Sequence, residues 1–318
     1  MKRMAICIAL LTAATAASAQ QTPLFGMYRD AWSLLNPSAI SNNYTLNKRS
    51  MTLNGAARVQ WWGLPESPRT QFLNWEYADD ERNSLWGAHL INDRAGKIGQ
   101  TGAYARYAYR IEMGRRVTHT LNIGLSAGVV QYRARWSEIE FPDPTAVTLL
   151  NDRAISPDFS FGAFYQYNRD WYIGLSAPQG FGLRSDFGQG DPAPDWRRKP
   201  HLYGVAGVYI STPWLGNTTS FAEPSVWIKY LPNGPLNTDL NLRPQVSELI
   251  WAGAGVNMSW GARPGSTLHF ETGLILGEQA QFTDGQLKIG FMFDLALSHG
   301  IRGTLGNSAE IGVGYSWR

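Results

Sequence analysis

The stretch that decides the fold closes the chain: AEIGVGYSWR, residues 309–318. Ile311, Val313, Tyr315 and Trp317 form one alternating set, and Glu310, Gly312, Gly314, Ser316 and Arg318 form the other. Successive side chains of a strand point to opposite faces, so this is a strand with an apolar, aromatic row and a polar or small row. A strand of this kind at the end of the sequence suits a sheet that closes on itself, the last strand pairing with the first. Such a closed sheet has no unsatisfied edge and can span a bilayer.

The same alternation runs back through the chain. Over 51–61, Leu53, Gly55, Ala57, Val59 and Trp61 oppose Thr52, Asn54, Arg58 and Gln60. Segments 71–77, 85–92 and 103–111 repeat it. The cleanest case sets Leu121, Ile123, Leu125, Ala127 and Val129 against Thr120, Asn122, Gly124, Ser126 and Gly128. Residues 136–156, with Pro142-Asp143-Pro144, break the rhythm, and so do 179–200. Between and after them, 159–168, 171–177, 201–211, 225–230, 238–244, 250–260, 268–274 and 287–295 read as strands, with a strong turn at Pro232-Asn233-Gly234-Pro235. The fold class expected is all-β: a transmembrane antiparallel β-barrel of about fourteen strands over 51–318, closed by pairing of its first and last strands. Short turns mark the periplasmic end of such barrels and long loops the outside, which puts 136–156 and 179–200 outside.

Composition agrees with a barrel. The sequence has 33 glycines and 13% aromatic residues, suited to tight inward packing and to interfacial girdles of Trp and Tyr. After residue 19 there is no run of about 18 apolar residues, so transmembrane helices are not expected. Lys2-Arg3, the apolar run 4–14 and Ala17-Ser18-Ala19 read as a signal peptide, residues 1–19. Its removal also removes Cys7, the one cysteine, and leaves no thiol chemistry. The basic count then falls from 28 to 26, against 25 acidic residues, a balance that points to no nucleic-acid partner. Residues 20–50 have little periodicity. They read as an irregular segment with a short helical turn around 28–35, which either plugs the lumen or lies across the periplasmic mouth.

Several short motifs accompany this pattern. Phe25, Tyr28 and Asn36-Pro37 lie in the N-terminal block, with Ser38 after them. Arg58-x-Gln60-Trp61-x-Gly63 and Pro68-x-Thr70 follow, then Gly87 with Asp93-x-x-Gly96. Pro157-Asp158 with Gly162 and Tyr165, and Tyr172-x-Gly174-x-Ser176, stand mid-chain. Pro224-Ser225, Lys229-Tyr230 and Asp239-Leu240-Asn241 come later. In this order the set resembles the PorP/SprF family of outer-membrane proteins of the type IX secretion and gliding systems of the Bacteroidetes. The departure is Ser38, where the family has Ala. The resemblance implies an integral outer-membrane barrel that anchors periplasmic partners: the ring lipoprotein and ring protein of the system (PorK/PorN-like) and, indirectly, the inner-membrane motor. It also implies contact with outer-membrane lipid and, in some members, with an exported surface protein. It implies no catalysis. The motif residues Phe25, Tyr28, Asn36, Pro37, Arg58, Gln60, Trp61, Asp93, Lys229 and Asp239 are the candidate partner-contact or lumen positions.

No cofactor or metal motif stands out. His89, His119, His201, His269 and His299 lack ligand spacing, and the first and fourth fall on lumen-facing rows. Gly253-x-Gly255 sits inside a strand, where a dinucleotide loop cannot form. The acidic runs Asp79-Asp80-Glu81 and Asp191 to Asp195 lack the oxygen spacing of a Ca²⁺ cage. Lumen-facing Arg58, Arg106, Arg110, Lys229, Lys288, Asp294 and Glu310 are of mixed sign, which favours mutual pairing over a single-sign ring for a charged ligand. The alternative functional reading is a porin-like or hydrophobic-ligand uptake channel. A soluble secreted β-protein is a third, and the outward Trp and Tyr rows argue against it.

Overall fold

Fourteen alternating segments close into one ring because each buries a polar or small row inside and turns an apolar row outward. The structure is a computed structural model. It describes residues 25–39, 41–114, 118–135, 138, 153–181, 184–185, 196–197, 199–215, 220–232, 234–260, 265–278, 282, 284–297 and 306–318. Residues 1–19, read as a signal peptide, the acidic run 191–195 and most of the segments 136–156 and 179–200 lie outside these residues.

The ring strands are β1 (Met51–Val59), β2 (Arg69–Asp79), β3 (Ser84–Ala95), β4 (Ile98–Met113), β5 (His119–Ala134), β6 (Arg153–Tyr167) and β7 (Trp171–Ala177), followed by β8 (Leu202–Val208), β9 (Phe221–Tyr230), β10 (Leu236–Gln245), β11 (Ile250–Trp260), β12 (Gly265–Leu276), β13 (Gly285–Ala296) and β14 (Ser308–Trp317). Each pairs antiparallel with its sequence neighbour, and β1 closes on β14 from Met51↔Trp317 to Val59↔Ala309. The segment that opened the sequence argument is thus the closing strand. Outside this ring, Ile210–Ser211 extends the pairing of β8 onto β9 beyond a break at Tyr209, and Arg184–Ser185 pairs with Trp196–Arg197.

The outer rows are exposed and apolar, as lipid demands: Leu53, Leu90, Ile123, Leu175, Phe270 and Val313 among them. Aromatic residues gather at the end where β1 begins and β14 ends, the terminal end, with Trp86 and Tyr107 edge to face at 4.8 Å and Tyr315 stacked on Trp317 at 5.5 Å. Trp260 and Tyr230 stand at the other end. There the outer rows of β2, β3 and β4 turn polar. Asn92 donates to Gln71 at 3.3 Å and accepts from Thr101 at 2.9 Å, a ladder suited to headgroups.

Strand ends differ from the sequence reading. The first strand stops at Val59, not Trp61. Trp61 has φ 55°, the left-handed region, and the Trp62 N–H bonds to Asn307 O. β4 and β5 run to 16 residues each because their pairing continues past the apolar belt, and β6 takes in Arg153–Ser156 from the segment read as loop. The strand ends flanking 135–152 and 178–201 both lie opposite the terminal end.

Candidate functional site

The lumen is filled by the N-terminal segment. A 3₁₀ turn (Tyr28–Asp30) leads into the one-turn helix α1 (Trp32–Leu35), and α2 (Asn42–Asn47) lies at the mouth of the terminal end. Phe25, Met27, Tyr28, Arg29, Trp32, Asn36 and Ala39 are all buried. Trp32 is ringed by Tyr28, Phe164 and Tyr172 at 5.5–5.7 Å between ring centres, and Tyr28 packs on Trp227 at 5.0 Å. Two smaller apolar clusters repeat this plug–wall contact, Phe25 and Ala31 against Phe72 and Ile91, and Met27 against Trp251, Ile275 and Met292.

Polar groups of the plug meet partners all round the wall, which a buried polar segment requires. The Tyr28 hydroxyl bonds Ser225 Oγ at 2.7 Å, and Asn241 donates to it at 3.3 Å. Ser33 donates to Asn74 at 2.7 Å, and Ser176 donates to Leu35 O at 2.6 Å. Asn36 donates to Ala163 O at 3.2 Å and to Leu175 O at 3.1 Å, bridging β6 and β7. Gly162 and Gly174 leave the space for it: a Cβ on Gly162 would collide with the Asn36 carboxamide, and one on Gly174 would lie 3.1 Å from its nitrogen. Arg106 reaches in from β4 to Pro37 O at 3.1 Å and Ala39 O at 2.8 Å, and pairs with Glu76 at 3.0 Å.

Buried charges pair across the same boundary. Arg29 is bonded to Glu271 and stands 3.9 Å from Glu223, which accepts from the Tyr172 hydroxyl at 2.7 Å. Asp30 is held by Lys288 and by Arg243 at 3.5 Å. The seam strands join in: Glu310 of β14 accepts the Gly26 N–H at 2.7 Å and the Met27 N–H at 3.0 Å, while Arg58 of β1 bonds Glu310 at 3.0 Å and also Asp294. At the terminal mouth α2 is clamped by Tyr44, whose hydroxyl donates to Asp80 and accepts from Arg110 at 2.5 Å. Burial, then the hydrogen bond to Asp80, pushes the Tyr44 hydroxyl up to about 12. Burial opposes the charge on Asp80, yet hydrogen bonds from Tyr44 and Arg110 hold its carboxyl below the usual range.

The motif residues therefore divide. Phe25, Tyr28, Asn36 and Pro37 are the plug face. Arg58 sits on the wall beside Gly26, and Lys229 and Asp239 pair with each other under Trp227 and Asn257. Asp93 accepts from Thr70 at 2.6 Å on the inner wall toward the loop end. Gln60 and Trp61 stand at the loop-end rim, where the Gln60 N–H bonds Pro68 O and the Trp61 N–H bonds Ser308 Oγ, each within the rim. Sequence reasoning missed Arg29, Glu223, Glu271 and Trp32. Arg29 carried a signal, being a charge inside an aromatic, aperiodic segment. Beside the plug lie cavities of about 20 and 30 Å³, and the terminal mouth opens into one of about 790 Å³ that reaches in to Glu223, Arg243 and Lys288.

Known proteins bear on this geometry in three ways. The fold is shared with solved outer-membrane barrels. The TodX monoaromatic hydrocarbon channel deltaS2 mutant superposes with a TM-score of 0.52 at 9% identity, over 89% of this chain and 93% of that one. The TodX deltaS2S3 mutant gives 0.51 at 8% identity, over 89% and 92%. At such identities the likeness shows the fold alone. No curated protein matches the chain. The model of the type IX secretion system membrane protein PorP/SprF matches residues 17–315, a span that holds the plug, the wall glycines that receive it and the closing strand. On that match the chain belongs to the PorP/SprF family of type IX secretion system membrane proteins, with the fold of an outer-membrane β-barrel.

Proposed function

We propose that this chain is a plugged barrel anchor of the type IX secretion machinery. It fixes the periplasmic ring lipoprotein and ring protein, and through them the inner-membrane motor, to the outer membrane, and it serves an exported surface protein on the other side. In this reading residues 1–19 are the signal peptide, 20–50 the lumenal segment and 51–318 the barrel. The terminal end, with α2, faces the periplasm, and the end from which 135–152 and 178–201 depart faces outward.

The observation that carries the reading is the filled lumen. The plug is tied to the wall by Arg29–Glu271, Asp30–Lys288 and Glu310 with the Gly26 and Met27 N–H groups, and a segment held so leaves no wide conduit among the described residues. What remains for such a barrel is its two faces, and the family supplies a machinery with partners on both. Purification of the native protein from outer membranes in mild detergent tests this. Ring lipoprotein and ring protein are expected to co-purify in fixed proportion. A barrel recovered alone under those conditions overturns the anchor role.

A further inference from the structure

Three cations at the terminal mouth stand outside the ion pairs of the described residues, although Asp80 and Glu112 lie near Lys48 and Asp170 adjoins Arg169. Lys48 and Arg49 follow α2, and Arg169 sits in the turn between β6 and β7. Lys48 and Arg169 are exposed and Arg49 is half-buried. Among the described residues none of the three makes an ion pair, whereas Arg110 beside them is satisfied by Asp80 and by Glu112 at 3.2 Å. The three form a ridge between two openings. Arg169 borders both, sharing a cavity of about 240 Å³ with Lys48 and the one of about 790 Å³ with Arg49. Lys48 is fixed over the Tyr44 ring at 4.7 Å, so its ammonium is positioned by the clamp that holds α2.

We infer that this ridge is the docking site for an acidic segment of a periplasmic partner, lying in extended form across the mouth with carboxylates on Lys48, Arg49 and Arg169. The inference rests on the anchor reading above. Guanidinium groups take carboxylates in paired hydrogen bonds, and a cation left unpaired on a rim costs little in the free barrel yet steers an anionic partner to it. The opposite sign is also present. Asp170, Glu223, Glu248 and Glu278 line the larger cavity together with Arg243 and Lys288, so its mixed sign does not extend the ridge and the carboxylates of the segment are read at Lys48, Arg49 and Arg169.

The test uses full-length barrel in detergent and a short fluorescent poly-aspartate peptide, with a poly-asparagine peptide as control. Binding of the aspartate peptide is expected, weakening with salt. It should be about tenfold weaker for the triple variant Lys48→Glu, Arg49→Glu, Arg169→Glu, a difference of about 1.4 kcal/mol. If that variant loses heat-modifiable folding, Arg169→Glu alone, in an exposed turn, carries the test. Equal binding by wild type and variant, or no discrimination between the two peptides, overturns the ridge. In cells the outcomes separate from the anchor reading. Ring partners that co-purify with wild type and equally with the variant overturn the ridge and leave the anchor. Ring partners absent from wild type overturn the anchor, and the peptide then decides the ridge.

Discussion

Gly162 of β6 and Asn36 of the plug use the same space: the Asn36 carboxamide stands where a methyl on Gly162 would go. It cannot swing aside, because its nitrogen bonds Ala163 O and Leu175 O and its oxygen accepts from Ser38. Gly162→Val should therefore unseat this corner of the plug, at a cost of about 1–3 kcal/mol from overpacking. The neighbouring outward change Ala163→Val should cost nothing comparable. Urea midpoints in detergent measure the first effect. Trypsin cleavage at Arg29, buried in wild type, reports the second, and equal protection in both variants would refute the fit.

Glu310 connects the plug to the seam of the barrel. It accepts two plug N–H groups and one Arg58 bond, and it is nearly inaccessible to solvent at 2%. Glu310→Ala leaves those donors unmet and Arg58 with Asp294 alone. Breaking such a buried pair costs about 3–5 kcal/mol. Glu310→Gln, which retains an acceptor, should fall between. Denaturant unfolding of the three proteins gives the order, and an alanine variant as stable as wild type would remove the latch.

The ring itself could be read residue by residue. Parity alone placed Leu53, Val313 and Tyr315 outside and Arg58 and Glu310 inside, and it made the closing strand pair with the first. Where strands end was less legible. Outward Thr101 fell in the polar stretch read as a turn after Asn92, yet the ladder continues there past the lipid, with Thr101 bonded to Asn92 and Asn92 to Gln71. The plug's seating was illegible for a different reason. Tyr28 meets Ser225 and Arg29 meets Glu271, pairs about two hundred positions apart that no local period connects. The motif residues gave a partial trace: Asn36, Gly162, Gly174, Ser176, Ser225 and Asn241 all meet at the plug–wall contact.

Lipid exposure makes a sharp prediction on β5. Leu125 is 48% exposed on the outer row, and Ser126, its neighbour, is buried inside. Leu125→Arg puts a charge toward the acyl chains and should cost about 2–4 kcal/mol near the midplane. The measurement is unfolding in phospholipid vesicles compared with detergent, where the penalty should shrink. A penalty unchanged between the two would mean that this row does not face lipid.

The clamp on α2 should be acid-sensitive. Asp80, with its carboxyl held low by Tyr44 and Arg110 against burial, favours the folded state only while ionised. Its contribution is complete above the unfolded carboxylate value of about 4 and is lost as pH falls through the lower folded value. The Lys48 N–H, which bonds Tyr44 O at 2.9 Å, reports the helix end. Its hydrogen-exchange protection, corrected for the intrinsic rate, should drop in that acid range. Asp80→Asn should lower protection at neutral pH and abolish the acid step. An acid step that survives Asp80→Asn would assign it to another group.

Conductance separates an anchor from a channel. The plug spans the lumen from Glu310 at the seam to Gly162 and Gly174 on the far wall, and its aromatic core seals against Phe164, Tyr172 and Trp227. Wild-type protein in a planar bilayer should give no steady open level. Deleting residues 25–39 removes Arg29 from Glu271 and Asp30 from Lys288, leaving wall charges that water must solvate, so the deleted barrel should conduct steadily. Heat modifiability on gels establishes that the deleted protein still closes its ring. Steady conduction by the wild type would show that the plug yields in the membrane and would return the porin or uptake reading to first place. A deleted barrel that is folded yet silent would mean that the inward side chains fill the lumen without help from the N-terminal segment.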